Sequence, residues 1–302
     1  MKIFQGVIVP MVTPINKDYN IDSTGVQKTI DLIVNANCAP FVLGTTGEFT
    51  SFRYDQKIQL VKDTVSAVDS REKVFAGISS TSLLESIDLA KRFSEFGADI
   101  MVTTLPFYYP ISDAEMLRFF EELADRANCP IIIYNMPAMV GASIPLEIAE
   151  QLSYHPNIVG MKDSERDIDR INQSMKLWKD REDFSFYLGW AAQSAHCMLN
   201  GADGIVPSTG NLVPDLFKQL YDAGIAGEEK LANNLQLVTD KISLIYQKDR
   251  KLNTSLPALK VLMSELSLCE PYVLPPMYNI VQDEQVQLKA QFRNELNKLS
   301  SN

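Results

Sequence analysis

Short, almost unbroken apolar runs alternate along the chain with longer stretches in which apolar residues recur every three or four positions. The runs are GVIVPMV (6–12), PFVLGTT (40–46), KVFAGIS (73–79), DIMVTTL (99–105), PIIIYNM (130–136), NIVGMKD (157–163), FSFYLGW (184–190) and DGIVPST (203–209). Brief runs of this kind suit strands of a parallel sheet buried on both faces. Between them, SLLESIDLAKRFSEFG (82–97) is expected to be helical, with Leu84, Ile87, Leu89, Ala90 and Phe93 on one face and Gly97 closing it. SDAEMLRFFEELADRAN (112–128) is expected to start at Ser112 or Asp113, with acids in its first turn. Eight strand candidates, each followed by a helix candidate, point to an α/β fold of the (β/α)8 TIM-barrel type and not to an open sheet. After residue 225 the pattern turns purely helical, near 227–247, 254–268 and 282–301, and the prolines of EPYVLPPM separate the last two segments. The chain therefore divides into a barrel, 1–225, and a C-terminal helical extension, 226–302.

Composition narrows the chemistry. The 302 residues are 46% hydrophobic and 22% charged, as in a globular protein with a substantial core. A net charge of −10 argues against nucleic acid as a partner, although a small anion could still be held by local dipoles and single lysines. MKIFQGVIVPMVTP lacks the basic start and long apolar stretch of a signal peptide, and no run reaches the roughly 18 apolar residues of a membrane span. A cytoplasmic location without membrane contact is the expectation. Cys38, Cys129, Cys197 and Cys269 lie far apart and read as reduced, buried thiols. Two histidines cannot build a histidine-rich metal site, and HExxH, P-loop and GxGxxG patterns are missing. No metal or organic cofactor is expected.

In a barrel of this type the active site forms where the C-terminal ends of the strands meet. Collecting those ends brings together Thr45 and Thr46 in GTTGE, Tyr108 in FYYP, Tyr134-Asn135, Lys162-Asp163-Ser164, Gly189-Trp190 and Ser208-Thr209. Lys162 follows an apolar run, so it belongs at a strand end. Two readings of it are open: an ion pair with Asp163 or with an acid on a neighbouring strand, or a Schiff-base nucleophile whose pKa falls in an apolar site. Tyr134 is either a core aromatic with its hydroxyl satisfied elsewhere or a proton carrier beside that lysine. The GTTGE turn could cradle a carboxylate or phosphate on backbone N–H groups, or be an ordinary loop.

GTTGE, YNxPxxxG and GMKD, in this order after strands two, five and six, resemble the dihydrodipicolinate synthase and N-acetylneuraminate lyase family of pyruvate-dependent aldolases. The resemblance runs from GVIVPMVTP into the helical tail. It implies that Lys162 forms the Schiff base with pyruvate or a 2-oxo acid and that Tyr134 relays protons. It implies that Thr45 and Thr46 hold the pyruvyl carboxylate, with Gly189 and Val206 lining the pyruvyl group. Tyr108 would enter the neighbouring subunit's site and complete a relay with Thr45 and Tyr134, in a homotetramer built as a dimer of dimers. The chain also departs from the pattern. Met139 occupies the position where the synthases keep an arginine for the aldehyde's carboxylate, which leans toward the lyase branch. The acids that sugar-acid lyases carry after the strand-seven glycine are replaced by Trp190-Ala191-Ala192, while Ser164 could still meet a substrate hydroxyl.

The resulting expectation is a class I aldolase or lyase that cleaves a 2-oxo acid, a 2-keto-3-deoxy sugar acid foremost, to pyruvate and an aldehyde. Its rivals are a dehydratase or deaminase working through the same imine, 4-hydroxy-tetrahydrodipicolinate synthesis (disfavoured by Met139), and a non-catalytic 2-oxo acid sensor.

Overall fold

The computed structural model describes residues 2–300; positions 1, 301 and 302 of the expected barrel, last helix and extension lie outside them. Eight parallel strands close in chain order into a barrel: β1 (Gly6–Pro10), β2 (Ala39–Val42), β3 (Phe75–Gly77), β4 (Ile100–Thr104), β5 (Ile131–Asn135), β6 (Ile158–Asp163), β7 (Ser185–Leu188) and β8 (Gly204–Ile205). The helices that return the chain are α1 (Ser23–Asn35), α2 (Tyr54–Val68), α3 (Leu83–Phe96), α4 (Asp113–Ala127), the pair α5 (Pro137–Val140) and α6 (Leu146–Leu152), α7 (Ile168–Trp178), α8 (Ser194–Leu199) and α9 (Pro214–Ile225). The strands are shorter than the apolar runs that predict them, down to two residues in β8. The last residues of each run leave the ladder as the chain turns toward its helix, so Thr45, Thr46, Gly189 and Val206 stand on loops at the mouth.

Alternation along β5 sorts its side chains. Ile132 and Tyr134 point into the barrel, where they meet Ile8, Phe41, Phe75 and Tyr187, whereas Ile131 and Ile133 pack under the helices. Burying each such side chain is worth about 1.5–3 kcal/mol. On β6, Gly160 leaves the interior open: a Cβ there would stand 2.7 Å from the Ser185 carbonyl and 3.1 Å from the Tyr187 ring. The barrel floor is plugged by the N-terminal segment. Phe4 stacks edge-on against Phe75 at 5.3 Å, its carbonyl accepts from Tyr187 Oη at 2.8 Å, and Lys2 pairs with Asp203 at 2.6 Å.

Helix α3 corrects one expectation. Ile87, Leu89, Ala90 and Phe93 are buried but Leu84 is 63% exposed, because at about 100° per residue it falls roughly opposite Phe93. Gly97 does close α3, at φ 102°. Of the two cap candidates for α4, Ser112 takes the role, its backbone N–H donating to Glu115 Oε2 at 2.7 Å.

The helical extension comprises α10 (Glu229–Gln247), α11 (Leu252–Glu265) and α12 (Gln282–Ser300). Its core of Ile242, Tyr246, Leu259, Leu262, Leu288 and Phe292 reaches Val12 and Leu212 of the barrel, and Ala232 and Leu235 of α10 join the barrel's own core. The extension is thus packed onto the barrel, not tethered to it. The four cysteines are free and buried. Among the described residues, no helix is long and apolar enough to cross a membrane.

Candidate active site

Tyr134 and Lys162 are register partners at the mouth ends of β5 and β6. Both face inward by strand parity, and both are buried. Lys162 Nζ lies 3.8 Å from the Tyr134 ring centroid and 5.0 Å from that of Phe41, so two ring faces stand against the amine. Among the described residues no carboxylate pairs with it. Asp163, one residue on, faces the opposite side of the strand and pairs with Arg170 Nε of α7 at 2.6 Å. The ion-pair reading of Lys162 is therefore overturned, and the cause is the two-residue period of the strand.

Burial without a carboxylate holds the Lys162 amine below its ordinary pKa, with the neighbouring Tyr134 acting weakly the other way. For Tyr134, burial raises the hydroxyl, but a charged Lys162 and hydrogen bonds with Ser164, Thr45 and Lys162 outweigh it. The direction that follows from the desolvated geometry is a lysine readily made neutral.

Tyr134 Oη is the centre of a chain of hydroxyls: Thr45 Oγ1 lies 3.4 Å away, and Ser164 Oγ donates from 3.5 Å. Thr45 reaches this place from the tight turn after β2, in which the Gly47 and Glu48 N–H groups bond back to the Gly44 and Thr45 carbonyls. Thr46 is buried in the same turn. Gly189 makes room for Ser164, because a Cβ there would stand 1.9 Å from Ser164 Oγ and 3.1 Å from the Asp163 carbonyl. Val206, with Phe41, Ile132 and Tyr187, walls a cavity of about 10 Å3 under Lys162, at or below what one water needs. Nothing in this wall can hydrate the amine from beneath.

Two expected site residues are not gathered here. Tyr108 is 77% exposed on the loop after β4, where it stacks edge-on against Tyr109 at 5.0 Å. Met139 sits half-exposed on α5, with no charge or hydrogen bond to offer.

The structure also joins Asn135 and Asp163 to groups that sequence reasoning missed, Ser143, Glu165 and Arg170. Behind the lysine, Asp163 Oδ1 accepts from Asn135 Nδ2 at 3.0 Å and from the Glu165 N–H at 2.8 Å. Glu165 Oε2 accepts from Ser143 Oγ at 2.5 Å and from Asn135 Nδ2 at 2.9 Å, and Arg170 donates to the Ile144 carbonyl at 2.8 Å. This network ties β5, β6 and the end of the loop that carries Met139 into one frame. Burial pushes the Asp163 carboxyl up, against the pull of Arg170 and its hydrogen bonds. Replacing Arg170 by alanine would leave that carboxylate buried without its counter-ion, with an expected loss of about 3–5 kcal/mol in urea unfolding at neutral pH. Acidification that protonates Asp163 removes the uncompensated charge, so the deficit should narrow as pH falls. A deficit independent of pH would point to lost packing instead.

Residues 3–295 match the Dihydrodipicolinate synthetase family. The protein named "Probable 2-dehydro-3-deoxy-D-pentonate aldolase YjhH" from Escherichia coli (strain K12) is 28% identical over 281 residues, 92% of each chain. The structure of dihydrodipicolinate synthase from Bacteroides thetaiotaomicron superposes with a TM-score of 0.92 at 30% identity, over 97% of this chain and 99% of that one. YagE from E. coli K12, solved in complex with pyruvate, superposes with a TM-score of 0.91 at 26% identity and the same coverage. The barrel, the matched span and these relatives agree: the chain belongs to the dihydrodipicolinate synthetase family and is an enzyme of its pyruvate-dependent lyase type.

Proposed function

We propose that this enzyme cleaves a 2-oxo acid, foremost a 2-keto-3-deoxy sugar acid, to pyruvate and an aldehyde through an imine on Lys162. The observation that carries the reading is the buried amine without a carboxylate, lying against a tyrosine whose hydroxyl is linked to Thr45 and Ser164. Neutral Nζ attacks the C2 ketone, and loss of water leaves an iminium. Tyr134 Oη takes the proton of the C4 hydroxyl as the C3–C4 bond breaks and passes its own proton through Thr45 Oγ1 to solvent at the mouth. The bonding electrons move into the iminium and form an enamine, and the aldehyde departs. Protonation at C3 and hydrolysis then release pyruvate and restore the lysine. Thr45 and Thr46 hold the carboxylate, Gly189 and Val206 border the pyruvyl group, and Ser164 meets a substrate hydroxyl. Tyr108 is assigned to the neighbouring subunit's relay in a homotetramer, in keeping with its exposure in the single chain.

The sugar-acid assignment is supported by the uncharged Met139 and by the name of the relative YjhH. The likeness to the B. thetaiotaomicron synthase favours one second reading, condensation of pyruvate with aspartate semialdehyde. Screening pyruvate release across a panel of 2-keto-3-deoxy acids, beside an assay of that condensation, separates the two. Retro-aldol turnover should dominate, and efficient condensation with no release from the panel would overturn the lyase reading. A product of unchanged carbon skeleton would indicate dehydration or deamination through the same imine.

The imine step has a pH signature. A lysine held below its ordinary value of 10.5 becomes neutral earlier as pH rises, so borohydride trapping of pyruvate should accelerate with pH through a midpoint below 10.5. A midpoint at the value of a free lysine would contradict the desolvated amine.

A further inference from the structure

Two of the most completely buried charges in the molecule lie outside the chemistry described above. Glu48, the last residue of GTTGE, and Lys260, in the middle of α11, are each 1% exposed at the side chain and approach to 2.5 Å. Glu48 Oε1 has the Lys260 ammonium as its ion-pair partner and accepts no other hydrogen bond among the described residues. Further hydrogen bonds extend from the pair: Lys260 Nζ donates to the Tyr272 carbonyl at 2.8 Å, and the Leu274 N–H donates to Glu48 Oε2 at 2.8 Å. A carboxylate from the turn and an ammonium from the extension thus hold each other and the 272–274 segment between them.

The turn needs such support. Leu43 and Glu48, which bracket Gly44-Thr45-Thr46-Gly47, both adopt left-handed backbone, with φ of 56° and 59°. Side-chain-bearing residues adopt that conformation infrequently, and for a branched residue such as Leu43 it carries a cost that the surrounding structure must offset. From the barrel side, Thr13 Oγ1 donates to the Gly47 carbonyl at 2.8 Å. From the tail side, the support is the Glu48 carboxylate. A buried pair is a weak source of net stability, but removing one partner strands the other charge, which makes its geometry strict.

We propose that the Glu48–Lys260 pair is a positioning device for the substrate's carboxylate, through which the helical extension fixes the turn carrying Thr45 and Thr46. This rests on the reading of those threonines as the carboxylate holders and of Lys162 as the imine-forming residue. Neither Glu48 nor Lys260 touches substrate. Their effect passes through the turn, so it should fall on ligands that have a carboxylate and spare those that lack one.

The test compares borohydride trapping on Lys162 with pyruvate and with acetone, a ketone without a carboxylate. The parent enzyme should prefer pyruvate strongly. In Glu48→Gln, and in the charge-neutral double variant Glu48→Gln/Lys260→Met, that preference should fall on the order of 10- to 100-fold, while acetone trapping stays near the parent rate. A merely structural role would lower both rates together, and an unchanged ratio in folded variants would overturn this inference alone. No adduct in the parent enzyme would overturn the imine reading and this inference with it. Hydrogen exchange needs no variant: trapping pyruvate on the parent enzyme should slow exchange of the Leu274 amide severalfold. Unchanged exchange there would overturn the coupling even if every variant failed to fold.

Discussion

Substituting Lys162 by alanine is expected to abolish the borohydride-stable pyruvate adduct and to lower turnover by a factor on the order of 10^4 or more. The size follows from what the residue supplies. Without the amine there is no iminium, and the electrons released when C3–C4 breaks have no acceptor other than a ketone. Neighbours cannot substitute: the rings of Tyr134 and Phe41 stand 3.8 and 5.0 Å from Nζ, and neither side chain carries an amine. Folding should survive or improve, because the change removes a desolvated amine that has no ion-pair partner. The measurement is intact-mass analysis after reduction with pyruvate present. An adduct of the same mass on the alanine variant would mean that another amine does the chemistry.

Tyr134→Phe should separate covalent binding from proton transfer. The ring stays against Lys162 and the barrel core, so imine formation with pyruvate should persist. Turnover of a full 2-oxo acid should fall about 10^2- to 10^4-fold, the range for losing a positioned acid–base group. Thr45 and Ser164 meet at the lost hydroxyl, and neither has a base of its own to replace it. The loss should therefore appear in kcat and kcat/KM alike, with trapping nearly unchanged. A variant with normal turnover would reduce Tyr134 to a packing role.

How much of this could be read from the chain varies by residue. The barrel and the Tyr134–Lys162 neighbourhood were legible because a buried parallel strand announces itself as an apolar run, and its two-residue period fixes which side chains look inward. The same period resolves the ambiguity of Lys162, since it sends the adjacent acid to Arg170. The phase of α3 was read less well, because three-to-four spacing around Leu84 tolerates a drift that only packing removes. Arg170 and Lys260 were not legible as partners of Asp163 and Glu48. Long-range ion pairs are set by how layers stack, and no local periodicity encodes them. Tyr108 and Met139 were singled out by motif alone, and within one chain neither comes to the lysine.

The plugged floor has a kinetic corollary. Phe4 packs with Tyr187 and Phe75 at the far end, and the space under Lys162 is at or below what one water needs, so substrate is expected to enter from the strand mouth. The fragment bonded to the lysine is then the inner passenger and the aldehyde the outer one. On the proposed imine at Lys162, departure is sequential, aldehyde before pyruvate, and in the synthetic direction pyruvate boards first. An aldehyde that lingers at the mouth would block the water that frees the enzyme.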